Sequence, residues 1–66
     1  MQLVVNGSDH DHKGAGTVAA LLAEVGAKAT ESAVMVNDRI IRRAHFETTR
    51  LTAGDRVEVL AMMGGG

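Results

Sequence analysis

The C-terminal run Met62-Met63-Gly64-Gly65-Gly66 carries the simplest reactive group a chain has, an α-carboxylate on a stem without side chains. Glycine lacks a Cβ and takes positive φ freely, so Gly64 and Gly65 suit a tail that threads a partner's narrow channel. The carboxylate of Gly66 is ionised at neutral pH. It needs no base of its own to attack a nucleotide phosphorus, and the resulting acyl-adenylate is open to a sulfur nucleophile. Counted from Ala61, such a tail spans at most about 20 Å when extended, enough to carry Gly66 from a globular body into a pocket. Taken alone, terminal glycines also fit a frayed end or an appended expression segment. Met62 and Met63 either continue the packing of the last element or give a partner a soft, adaptable contact. Leu60 and Arg56 are expected near the tail root, as part of the same docking surface.

Three other patterns invite a chemical reading. Asp9-His10-Asp11-His12 has the residue types of a metal site, and in an extended segment His10 and His12 point to one side while Asp9 and Asp11 point to the other. Two imidazoles bind zinc or nickel weakly, whereas a closed site wants about four ligands. A solvated edge strand is the expectation. Gly14-Ala15-Gly16-Thr17-Val18-Ala19 fits a dinucleotide-loop pattern, with Asp38 at a suitable distance. That loop must follow a buried strand of a larger doubly wound sheet. Here it follows a polar segment of a short chain, so nucleotide binding is not expected. His45 has no serine or cysteine partner in the pattern and reads as a surface or capping residue.

Composition narrows the classes further. A chain of 66 residues is one domain with a minimal core, which favours a carrier or binding module over an enzyme with its own cleft. The net charge of −1 offers no basic excess for nucleic acid, and Arg42-Arg43 reads as solvated surface. No stretch reaches the roughly 20 apolar residues of a membrane span, and no signal peptide is visible. A cytoplasmic location is expected. Cysteine is absent, so the chain cannot hold sulfur as its own persulfide.

The elements that must position the tail follow from periodicity. Residues 1–5 read as a strand, Asn6-Gly7 as a hairpin turn, and residues 8–13 as a polar return strand at a sheet edge. Thr17 caps a helix through Val25, whose Val18, Leu21, Leu22 and Val25 make one apolar stripe, and Gly26 stops it. Residues 27–32 are a loop, 33–36 a strand, Asn37-Asp38 a turn and 39–42 the return. Residues 44–51 hold a short helical turn with Phe46 and Leu51 inward. After a turn at Ala53-Gly54-Asp55, residues 56–60 form the last strand, with Val57 and Val59 on one face and Arg56 and Glu58 on the other. One helix with one stripe must cover one face of one sheet. The first and last strands, the most apolar, belong at its centre, running parallel. The expected class is α+β: a β-grasp domain over residues 1–61, with a mixed sheet of four to five strands and one main helix on one face. Residues 62–66 form a flexible glycine tail.

In this setting the sequence resembles the ThiS family of thiamine-biosynthesis sulfur carriers, within the ubiquitin-like superfamily. The resemblance covers nearly the whole chain. It rests on the opening strand ending at Asn6-Gly7, the segment Thr17-Val18-Ala19-Ala20-Leu21-Leu22, the run from Val34 to Arg43, the Ala53-Gly54-Asp55 turn and the terminal glycines. It implies that a ubiquitin-activating-like adenylyltransferase uses ATP to adenylate Gly66. A cysteine desulfurase or rhodanese-type donor then supplies persulfide sulfur, and Gly66 becomes a thiocarboxylate. Thiazole synthase would accept that sulfur, with the carrier as co-substrate, not catalyst, binding no cofactor itself. A carrier for molybdopterin or another metabolite, a ubiquitin-like protein modifier and a non-covalent interaction module are the alternatives. The chain departs from the family pattern at its third terminal glycine, at Ile41-Arg42-Arg43, which lacks a usual proline, and at Phe46, where a larger aromatic is common.

Overall fold

Asn6 and Gly7 both take positive φ, 50° and 82°, and this turn folds β1 (Gln2–Val5) back onto β2 (Ser8–Asp11) as an antiparallel hairpin. The structure, a computed structural model, describes residues 1–62. A second tight turn at Asn37 and Asp38, φ 49° and 69°, joins β3 (Ser32–Val36) to β4 (Arg39–Ile41) in the same way. Primed turns of this kind match the right-handed twist of the strands they join, which is why Asn-Gly and Asn-Asp serve here.

The last strand, β5 (Arg56–Ala61), unites the two hairpins. It lies parallel to β1 and antiparallel to β3, giving the order β2-β1-β5-β3-β4 in one mixed sheet. The expected class is observed: five strands, one main helix, and the polar return strand at an edge. No helix of the described residues is long and apolar enough to cross a membrane.

The helix α1 (Val18–Val25) starts and stops where its caps dictate. Thr17 is extended, and its Oγ1 accepts the Ala20 N–H at 3.1 Å. Gly26 sits at φ 77°, the left-handed position that ends a helix most cheaply in glycine. Val18, Leu21 and Leu22 are buried against Leu3, Val34 and Val57 of the sheet. Val25 is not: it is 39% exposed, because the helix ends there and its side chain overhangs a surface groove instead of the core.

The segment after β4 closes the core. A short 3₁₀ turn (Arg43–His45) delivers Phe46, which is 3% exposed, and Leu51 follows it inward, as expected. The same segment also finishes the helix. Its carbonyls at Thr49 and Phe46 accept the Val18 and Ala19 N–H groups at 3.1 and 2.8 Å, donors that an α-helix cannot satisfy internally. The loop expected over residues 27–32 contains a second 3₁₀ turn (Ala29–Glu31), and β3 begins at Ser32.

Candidate functional site

The end of β5 is held more firmly than expected. Ala61 is paired with Ser32 inside the ladder, not free in the tail. One residue further, the Met62 N–H donates to the Glu31 carbonyl at 2.6 Å. The backbone is therefore held through Met62, the last described residue. On the other edge of β5, the Asn6 carboxamide holds Val59 through both backbone groups. Its Oδ1 accepts the Val59 N–H at 2.8 Å and its Nδ2 donates to the Val59 carbonyl at 3.2 Å. Two open grooves flank this root. One, about 440 Å³, is lined by Val5, Asn6, Val25, Lys28 and Ala61 among others. The second, about 310 Å³, is formed by Ala29, Thr30, Ser32, Arg43 and Met62.

The expected docking residues do not all meet here. Leu60 and Met62 are 57% and 59% exposed at the root. Arg56 lies at the opposite end of β5, where its guanidinium pairs with Asp38 at 3.0 Å. Met62 lies six residue steps further along, roughly 20 Å at the strand rise. Leu60 instead shares the helix-free face of the sheet with Ala33, opposite it in register, and with the Met35–Ile40 pair of the neighbouring ladder. Ile40, 77% exposed, is the most open large apolar residue of that face. Its strand was expected, but its role in an apolar patch was not. Met63 and the glycines Gly64, Gly65 and Gly66 lie outside the described residues.

The histidine segment is a hydrogen-bonded knot. His10 and His12 do share one side, but His12 is buried at 2% exposure, not solvated, and the β2 ladder stops at Asp11. Both rings converge on Glu24 of α1, a residue the sequence pattern gave no reason to connect with them. His10 Nε2 lies 2.6 Å and His12 Nδ1 2.8 Å from Glu24 Oε1, and the Lys13 N–H donates to Oε2 at 2.8 Å. These bonds, the one from His10 first and that from His12 second, bring the Glu24 carboxyl from an ordinary 4.5 down to about 2. The three side chains have the types and proximity of a metal site, yet the proton placement opposes one. The Gly16 N–H donates to His12 Nε2 at 3.1 Å, so the neutral ring carries its proton on Nδ1 and gives it to Glu24. A metal on Nδ1 would force that proton onto Nε2, against the Gly16 N–H.

The same contact settles the glycine loop. Its Gly16 N–H is spent on His12. A Cβ on Gly14 would meet the His12 ring at 2.9 Å, so Gly14 is glycine to admit that ring. The loop follows an edge strand, as expected, and is filled by protein rather than shaped for a phosphate. His45 is exposed on its 3₁₀ turn, and its backbone carbonyl accepts the Thr49 Oγ1 hydroxyl at 2.7 Å.

Comparison with known proteins agrees with this geometry. The family model described as the ThiS family matches residues 3–66. Among solved structures, the chain is similar to the crystal structure of the thiamine biosynthesis protein ThiS from Geobacter metallireducens, with 38% identity, a TM-score of 0.82 and full coverage of both chains. The solution structure of a thiamine biosynthesis protein from the same organism gives a TM-score of 0.78 at 38% identity, covering 100% of this chain and 88% of that one. Among curated proteins, it is 35% identical over 66 residues to a thiazole synthase of Paramagnetospirillum magneticum. The whole chain matches, but it spans only 20% of that relative's length. With a family match over almost every residue and the same fold in a solved relative, this chain belongs to the ThiS family.

Proposed function

We propose that the chain is a sulfur carrier of thiamine biosynthesis whose reactive group is the α-carboxylate of Gly66. The observation that carries this reading is the anchored root. β5, the central strand, is tied on one edge as far as Met62 and on the other as far as Val59, and the glycines follow after Met63. Covalent geometry lets the residues beyond Met62 span at most about 14 Å. That is shorter than the reach counted from Ala61, but still long enough to enter a channel in a partner.

The chemistry runs in three displacements. A Gly66 carboxylate oxygen attacks the α-phosphorus of ATP held by an adenylyltransferase of the ubiquitin-activating type, and pyrophosphate leaves. The terminal sulfur of a partner's persulfide then attacks the acyl carbon, and AMP leaves an acyl disulfide that joins Gly66 to the donor. A second thiol, from the donor or from solution, attacks the donor-side sulfur, so the donor is left as a disulfide and Gly66 carries the thiocarboxylate. The sulfur must come from a partner such as a cysteine desulfurase or a rhodanese-type donor, because the chain has no cysteine. A thiazole synthase is the proposed acceptor. The curated relative of that name supports it, since a segment similar to this whole chain occurs within that longer protein. The carrier acts as a co-substrate, and the exposed Leu60 and Met62 give the partners a docking contact beside the tail.

Intact-mass measurement after incubation with the adenylyltransferase, ATP and a sulfur donor should show one oxygen replaced by sulfur at the C-terminus. A chain extended past Gly66 should keep its melting temperature and gain no sulfur. Sulfur uptake by the extended chain, or none by the free one, defeats the proposal. A ladder of conjugates resistant to thiol reductants would point to a protein modifier.

A further inference from the structure

β1 stops at Val5, and its ladder with β5 holds only the pairs Val4–Arg56 and Val5–Val57. β5 runs on to Ala61. Along that overhang β3 covers one edge, and the other would present bare N–H and C=O groups to any passing strand. Asn6 fills the gap. Its backbone N–H donates to the Val57 carbonyl at 2.9 Å, and its carboxamide then satisfies both groups of Val59, at 2.8 and 3.2 Å. One side chain thus takes the place of the missing strand at Val59.

A second asparagine does related work at the far end of β5. Asn37 Oδ1 accepts the Arg56 N–H at 2.9 Å, and the Asn37 N–H donates to the Arg56 carbonyl at 2.8 Å. Both residues sit in tight turns at φ near 50°. The central strand is therefore gripped at each end by an asparagine, but only the grip of Asn6 is beside the tail.

We infer that Asn6 is a positioning residue for the C-terminal reaction: its carboxamide fixes the end of β5, so that the tail leaves the body in one direction. This rests on the carrier reading above. A tail that enters a narrow channel loses orientational freedom on docking, and a fixed root has lost much of it already during folding. Asn6 is not on the reacting group, so its removal should weaken capture of the tail and spare the chemical step. That effect belongs in KM rather than kcat.

Two substitutions isolate the carboxamide. Asn6→Gly keeps the positive-φ turn and removes the side chain. Asn6→Asp keeps the shape and the Oδ1 acceptor, but sets a second acceptor against the Val59 carbonyl. Asn37→Gly is the control, since it loosens the same strand at the end remote from the tail. The readouts are thermal melting, amide exchange at Val59 and Met62, and steady-state thiocarboxylate formation followed by intact mass. The probes are the adenylyltransferase, ATP and inorganic sulfide. Asn6→Gly and Asn37→Gly should lower the melting temperature by similar amounts. Only Asn6→Gly and Asn6→Asp should speed exchange at Val59 and raise KM for the carrier, by about 5-fold, the ratio set by one ordinary hydrogen bond, with kcat nearly unchanged. An unchanged KM in both Asn6 variants, or an equal rise in Asn37→Gly, overturns the inference alone. A wild-type chain that gains no sulfur overturns the carrier reading, and this inference with it.

Discussion

Glu24 shows how one residue can serve two elements at once. Its carboxylate accepts from both histidines and from the Lys13 backbone, tying β2 to α1. The folded-state value of about 2 lies below the ordinary 4.5. The sign follows from that depression: the contribution is fully present above about 4.5 and is lost as pH falls toward 2. Thermal melts of the wild type between pH 5 and pH 2 should therefore fall more steeply than those of Glu24→Gln. The variant should already be less stable at pH 7. Parallel curves for the two proteins would show that the carboxylate is not what the knot depends on. The sequence made His10 and His12 legible as a same-side pair, because strand alternation is local. It could not show Glu24, since helix phase relative to a neighbouring strand is set only by tertiary packing. The burial of His12 was missed for the same reason. Arg56 failed differently: proximity in sequence to the tail was read as proximity in space, while an extended strand carries its two ends far apart.

Among the elements, α1 was the most legible. Thr17, the apolar stripe and Gly26 are local signals, and both caps are where their chemistry requires them. Thr17→Ala should cost about 1 kcal/mol, the usual loss when an N-cap side chain is removed. Chemical denaturation would measure it, and an unchanged midpoint would mean that the backbone carbonyls of Phe46 and Thr49 suffice as caps. Those carbonyls were not legible. They reach the helix from a segment far along the chain, through 3.1 and 2.8 Å contacts that no periodicity records. Val25 fitted the stripe by spacing yet stands 39% exposed, because a stripe predicts a direction and not the extent of what lies beneath it. The hairpins were placed correctly by their turn residues, whereas the clasp of Asn6 on Val59 joins parts of the chain that meet only in the finished sheet.

The whole molecule has little stability in reserve. A domain of this size buries a modest share of its surface, and single domains in general stand only about 5–15 kcal/mol above unfolding. Phe46, the one aromatic residue, is 3% exposed at the floor of the core. Replacing it with alanine should cost about 3–5 kcal/mol, visible as a large drop in denaturation midpoint or as loss of cooperative melting. A small shift would mean that the core closes over the gap. The fold class was readable in the sequence because a lone amphipathic helix between two hairpins leaves few alternatives, and the two apolar end strands had to be covered on both edges.

The order β2-β1-β5-β3-β4 has one more consequence. Until β5 arrives, the chain holds two separate hairpins with no ladder between them, and isolated hairpins are barely stable in water. The strand synthesised after all the others is thus the keystone. Any product cut short before residue 61 would lack the piece that joins its halves, and should be cleared as an unfolded chain before it could compete for the partner enzymes.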